Sequence, residues 1–336
     1  MKKLSVLVLL ILLAASVVFA AGQKEGAADQ EKTYSWKFNV PVAETSSWYR
    51  GAEKFKELVE ERTNGNITIT VYPNEQLSGG DMVKAIEMAR AGIFELDVHS
   101  TIIWSNIEQK LGALSLPFAF KDYAEVDKAL SGKFGELVID LVEANNLHFL
   151  AFGENGFRQL TTSRKKVTTP QDMRGLKFRV PTSPVMVETF KALGADPTVI
   201  NFAELFIALQ QRTVDGQENP LGLIESSKFY EVQDYVTMWN YLYDALIFTI
   251  HQDVWDTLSP EYKKIVSDSA REAMAWQIKI NREENASLLA ELEKKGLEPV
   301  VLTDEQINEF RKATRPVWAR MQDNFGADIM SALENH

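Results

Sequence analysis

The stretch that decides the reading runs from Asn155 to Pro220 and carries three phrases. They are Asn155-Gly156-Phe157-Arg158-Gln159-Leu160-Thr161, then Asp172-Met173-Arg174-Gly175-Leu176-Lys177-Phe178-Arg179-Val180-Pro181, and finally Val214-Asp215-Gly216-Gln217-Glu218-Asn219-Pro220. Arg179 falls inside an apolar strand, Leu176 to Val180. A guanidinium cannot shed its proton there and is costly to bury alone. Its planar fork suits a carboxylate, which it meets with two parallel charge-assisted hydrogen bonds. That carboxylate belongs either to a ligand or to an internal Asp or Glu. Asn219 follows an Asp-Gly turn and precedes the proline that stops its strand, so its amide is placed to donate to a ligand oxygen at the mouth of a cleft.

Outward from these phrases the chain alternates strands and helices. Tyr34, Trp36, Phe38 and Val40 alternate with polar residues and read as a first strand ending at Pro41. Thr45-Ser46-Ser47 caps a helix from Trp48 to about Arg62, which Asn64-Gly65 stops. Ile67 to Tyr72 reads as a second strand, and Met82 to Ala91 as a helix closed by Gly92. Asp122 with Glu125 resembles a capping box. Leu147 to Phe152 reads as a strand buried on both faces, with Phe152–Gly156 a crossing between domains. Thr169-Pro170-Gln171-Asp172 caps a single helical turn, and Asn201 with Glu204 forms a further capping box. Leu246 to Ile250 looks like a strand returning to the first domain. Ser259-Pro260 opens a helix reaching about Lys295, roughly 50 Å if continuous. Thr303 and Gln306 cap the last helices. Such alternation argues for an α/β protein.

Met1-Lys2-Lys3, an uncharged apolar run from Leu4 to Ala21, and Val18-Phe19-Ala20 near its end describe a secretory signal peptide over 1–21. A retained membrane anchor is the alternative. Residues 22–32 form a small-residue, charged leader, expected to be disordered. The chain has no cysteine, which excludes lipid attachment, disulfides and thiolate chemistry together. Without Lys2 and Lys3, 34 basic side chains face 47 acidic ones, a net charge of about −13. Such a surface repels nucleic acid and disfavours anions at long range, so an acid ligand needs local cations. Arg158 and Arg179 are the candidates.

The order and spacing of the three phrases resemble the extracytoplasmic solute-binding proteins of tripartite ATP-independent periplasmic (TRAP) transporters, the DctP family. The resemblance covers nearly the whole chain after the leader. It implies a two-lobed α/β periplasmic binding protein of the Venus-flytrap type, with the long helix spanning both lobes. The lobes would comprise 33–154 with 245–284, and 155–244 with 285–336. It implies a periplasmic receptor that closes by a hinge on an organic acid and presents it to the membrane subunits of a TRAP transporter. A monomer is expected. The acid's carboxylate would lie on Arg179, with secondary contacts from Arg158 and Asn219. In the family an aromatic at the place of Phe202 packs against the ligand's carbon skeleton, core packing being the other reading. Sialic-acid binders of this class carry a carboxylate where this chain reads Thr101-Ile102-Ile103, which disfavours sialic acid and leaves uronates, hydroxy acids, keto acids and small dicarboxylates.

Other residues have two readings each. Trp48, Trp104, Trp239 and Tyr241 lie near predicted element ends and are candidates for lining the cleft, with core or rim packing as the alternative. Glu44, at the tip of the loop after the first strand, is placed to accept hydroxyls of a polyol acid or is simply a surface residue. The four histidines have no helical metal spacing, and neither a phosphate loop nor a nucleophile elbow is present, so no metal, cofactor or catalytic residue is expected. An ABC-type receptor and an exported enzyme on an acid substrate are the competing readings. The enzyme needs an acid–base pair beside Arg179, and the phrases supply only Asp215 and Glu218.

Overall fold

The computed structural model describes residues 32–335, so the signal peptide and nearly all of the leader lie outside the described residues. In chain order the first elements are β1 (Tyr34–Asn39), α1 (Ser47–Arg62), β2 (Ile67–Tyr72), α2 (Met82–Arg90), β3 (Leu96–Ser100), α3 (Thr101–Trp104), α4 (Tyr123–Ser131), α5 (Lys133–Glu143) and β4 (Leu147–Phe157). There follow β5 (Gln159–Thr162), β6 (Lys177–Val180), α6 (Pro184–Ala192), β7 (Asp196–Val199), α7 (Phe202–Gln210), β8 (Gly216–Asn219), α8 (Leu221–Ser226) and β9 (Tyr235–Met238). The remaining elements are β10 (Tyr243–His251), α9 (Gln252–Asp256), α10 (Pro260–Lys294), β11 (Glu298–Val301), α11 (Asp304–Phe325) and α12 (Ala327–Glu334).

Two sheets form two lobes. The first has strand order β2-β1-β3-β10-β4 and the second β11-β9-β5-β8-β6-β7. β1 and β3 run parallel, and β10 inserts antiparallel between β3 and β4. The chain passes from one sheet to the other at Arg158, between β4 and β5, and returns through 239–242 between β9 and β10. The two passages are tied where Arg158 N donates to Leu242 O at 2.9 Å. Both lie a few residues from the sequence expectation, because β4 and β10 stay in the first sheet for their whole length.

Local signals account for the element ends. Ser46 accepts from Tyr49 N at the start of α1, and Asp81 accepts from Lys84 N at the start of α2. Capping boxes form at Thr169–Asp172 and at Thr303–Gln306. The expected box at Asn201 and Glu204 is absent: Asn201 occupies the cap position of α7 without a side-chain cap bond. β4 is an edge strand whose His148 is only half buried, stacked on Trp255 at 4.0 Å, so burial on both faces does not hold there.

The long helix α10 spans 35 residues and packs on α1 and β4 of the first lobe and on α8 of the second. It grips the outer edge of β4 at the crossing. Gln277 donates through Nε2 to Glu154 O at 2.8 Å and accepts from Glu154 N at 2.9 Å. These bonds satisfy backbone groups that an edge strand otherwise leaves unpaired. The C-terminal segment does not belong wholly to the second lobe as expected. Phe310 packs in the second core, whereas Val317, Met321, Phe325, Ile329 and Leu333 join the first.

Candidate functional site

Arg179 stands on β6 and is 2% exposed. Its Nε donates to Ile200 O at 2.8 Å, and its guanidinium carbon lies 5.9 Å from the Phe202 ring centroid. Among the described residues neither of its terminal nitrogens has an acceptor, and no carboxylate pairs with it. Burial pulls its pKa down to about 9, with Glu218 opposing and Arg158 adding repulsion. It stays protonated at neutral pH. The fork is therefore a buried cation whose hydrogen-bonding capacity is largely unused.

Arg158 is buried in the opposite condition. Its Nε and Nη2 grip the Glu218 carboxylate, Nη2 also donates to Asn219 Oδ1 at 2.9 Å, and Nη1 donates to Asp244 Oδ2 at 3.1 Å. Burial opposes its charge, but Glu218 and Asp244 outweigh that and raise its pKa above the ordinary guanidinium value. Of its five N–H groups one, on Nη1, is left over. Asp244 collects Ser100, Thr101 and Asn155 as further donors. Burial raises its carboxyl pKa against the pull of Arg158 and these hydroxyl and amide groups.

These side chains line a small cavity. From the second lobe it takes Arg158, Arg179, Pro181, Phe202, Asn219 and Leu223. From the first it takes the apolar Val42, Met82, Ile102 and Ile103, with Trp48, whose indole donates to Asn155 Oδ1 at 3.3 Å. Asn155, Ser100 and Asp244 complete the wall. Arg158, Arg179 and Asn219, one from each phrase, are thus brought together with Phe202. The Asn219 amide is held at both ends, donating to Gln217 Oε1 while its oxygen accepts from Arg158. One N–H remains.

Four expected lining residues, Trp104, Trp239, Tyr241 and Glu44, lie elsewhere, with Trp239 buried in the second core. Trp104 is fully buried in the first core: on the short helix α3, Ile102 and Ile103 take the cavity side and turn Trp104 away from it. Tyr241 is also fully buried, donates to Glu218 Oε2 at 2.8 Å and packs on Trp239 at 4.3 Å, so it supports the Arg158–Glu218 pair from behind. Burial and Glu218 push its hydroxyl pKa well up. Glu44 is exposed in an outer groove with Tyr49 and Arg50. Sequence reasoning missed Asn155 and Asp244. Asp244 had the same signal as Arg179, a lone charge in an apolar strand.

Comparison with known proteins gives the family and the fold. The profile of the DctP family, bacterial extracellular solute-binding protein family 7, matches residues 38–324. The chain belongs to this family. Among family members, the 2,3-diketo-L-gulonate-binding periplasmic protein YiaO of Escherichia coli is 32% identical over 94% of this chain and 96% of its own. A TRAP periplasmic solute binding protein from Ralstonia eutropha, solved with bound (S)-2-acetolactate, superposes with a TM-score of 0.87 at 34% identity, covering 90% of this chain and 99% of that one. The sugar acid binding protein DctPAm from Advenella mimigardefordensis, solved with galactonate, gives 0.87 at 30% identity, covering 90% and 97%. The DctP-family fold is two-lobed α/β with the long helix bridging the lobes, as the resemblance implied.

Proposed function

We propose that this DctP-family protein is a periplasmic receptor that captures an organic acid and delivers it to the membrane subunits of a TRAP transporter. One observation carries the reading: Arg179 is a buried cation with free terminal nitrogens, facing a cavity built from both lobes. A ligand carboxylate supplies the missing partner and turns a desolvation cost into two charge-assisted bonds. Arg158 and Asn219 contribute one spare donor each, and Phe202 packs beside the ligand.

The bound acid touches both lobes only when they are shut, so it favours the closed form. The two passages at Arg158 and 239–242 are the places for the hinge. The enzyme reading loses its acid–base pair: Glu218 and Asp244 are both committed to Arg158, and Asp215 bonds to Arg164 and to Lys177 N. The ABC alternative gives way to the TRAP description of the matched structures.

Calorimetric titration with a panel of organic acids tests the reading, with recovery of unaltered ligand by mass spectrometry. Saturable binding that is lost in Arg179→Met, without turnover, is the expected result. Binding unaffected by that substitution removes Arg179 from the site, and chemical conversion of the ligand restores the enzyme.

A further inference from the structure

We infer that the preferred ligand is an α-keto monocarboxylate with a short aliphatic tail. The inference rests on the organic-acid reading above and narrows it by the hydrogen-bonding supply of the cavity wall. Unused capacity there is almost all donor. Arg179 keeps four N–H groups on its terminal nitrogens, and Arg158, Asn155 and Asn219 keep one each. The acceptors are already engaged. Asp244 Oδ1 receives Ser100 and Thr101, and Oδ2 receives Asn155 and Arg158, which fills both oxygens. The amide oxygens of Asn155 and Asn219 receive Trp48 and Arg158, and Ser100 Oγ receives Ile102 N, which leaves one lone pair on each against seven free N–H groups.

A wall rich in donors and poor in acceptors selects a ligand head that only accepts. A carboxylate with an adjacent ketone oxygen is such a head. A hydroxyl in place of the ketone brings a proton that needs an acceptor, and a sugar acid brings several. A second carboxylate fares no better, because Arg158 already carries two carboxylates and Arg179 is taken by the first. Beyond the polar cluster the wall is apolar, aliphatic from Val42, Met82, Ile102, Ile103 and Leu223 and aromatic from Trp48 and Phe202. Such a lining suits a short apolar tail.

Isothermal titration of the mature chain with α-ketoisovalerate, α-hydroxyisovalerate, succinate and gluconate tests this. α-Ketoisovalerate should bind tightest, and α-hydroxyisovalerate several-fold weaker. Succinate and gluconate should each be weaker by on the order of 100-fold, succinate because its second charge is buried without a free cation and gluconate because its hydroxyl protons meet too few acceptors. Succinate or gluconate binding as tightly as α-ketoisovalerate overturns this inference and leaves the organic-acid reading standing. No binding by any acid of this or a wider carboxylate panel overturns that reading, and this inference with it.

Discussion

Replacing Arg179 separates binding from stability, because the two should move in opposite directions. In the unliganded protein the guanidinium is buried, donates one bond to Ile200 O, and has no carboxylate partner. Its pKa falls from 12.5 to about 9, which corresponds to roughly 4–5 kcal/mol of lost solvation not recovered locally. Arg179→Met has similar length and no charge. It forfeits the Ile200 bond, about 1 kcal/mol, and removes the desolvated cation. Relaxation around the site absorbs much of the difference, so the apo variant should gain about 1–2 kcal/mol, in line with replacing buried ions by apolar residues. Binding should vanish. Arg179→Lys keeps the charge but offers a point donor in place of the fork, and should lose about 2 kcal/mol of binding, roughly thirtyfold. Urea unfolding without ligand and titration calorimetry read the two quantities. A Met variant less stable than wild type by more than about 1 kcal/mol would show that the cation is held by structure. Unchanged affinity in the Lys variant would remove the bidentate contact.

Gln277→Ala strips both hydrogen bonds from the Glu154 backbone at the crossing and should cost at least about 2 kcal/mol in urea denaturation, with ligand affinity changing through the hinge. His99 is fully buried between Asp97 and Glu75, 2.7 and 2.8 Å away; burial opposes its charge, yet the two carboxylates win and lift its pKa from 6.5 to about 10. A raised folded pKa gives stability that is complete below pH 6.5 and fades as pH climbs through about 10, so melting temperature should fall across that window and His99→Gln should flatten the fall. Gly216→Ala would put a Cβ 2.2 Å from Thr161 O and 2.7 Å from the Phe178 ring, and the crowding should cost about 3 kcal/mol by thermal or urea unfolding. An alanine variant as stable as wild type would mean that β5 and β8 can separate freely at this register.

What the sequence determined by itself was local or periodic. Strand alternation, capping residues and Gly or Pro stops are written in adjacent positions, so β2, α1 and the 35-residue α10 fall where the residues place them. The lone arginine in an apolar strand was equally legible, since burying a guanidinium needs a reason wherever the fold puts it. The tertiary structure decided which charges meet. Arg158 and Arg179 read alike along the chain, yet β5 pairs with β8 so that Glu218 comes beside Arg158, while β10 brings Asp244 to its other side. Arg179, on β6, is left without a carboxylate. Trp104 and Ile102 are two residues apart, and the turn of a four-residue helix sends one into the core and the other to the cavity. Such outcomes depend on strand register and on which helix face meets which sheet. Those are set by burial summed over the whole chain, and no short stretch of sequence records them.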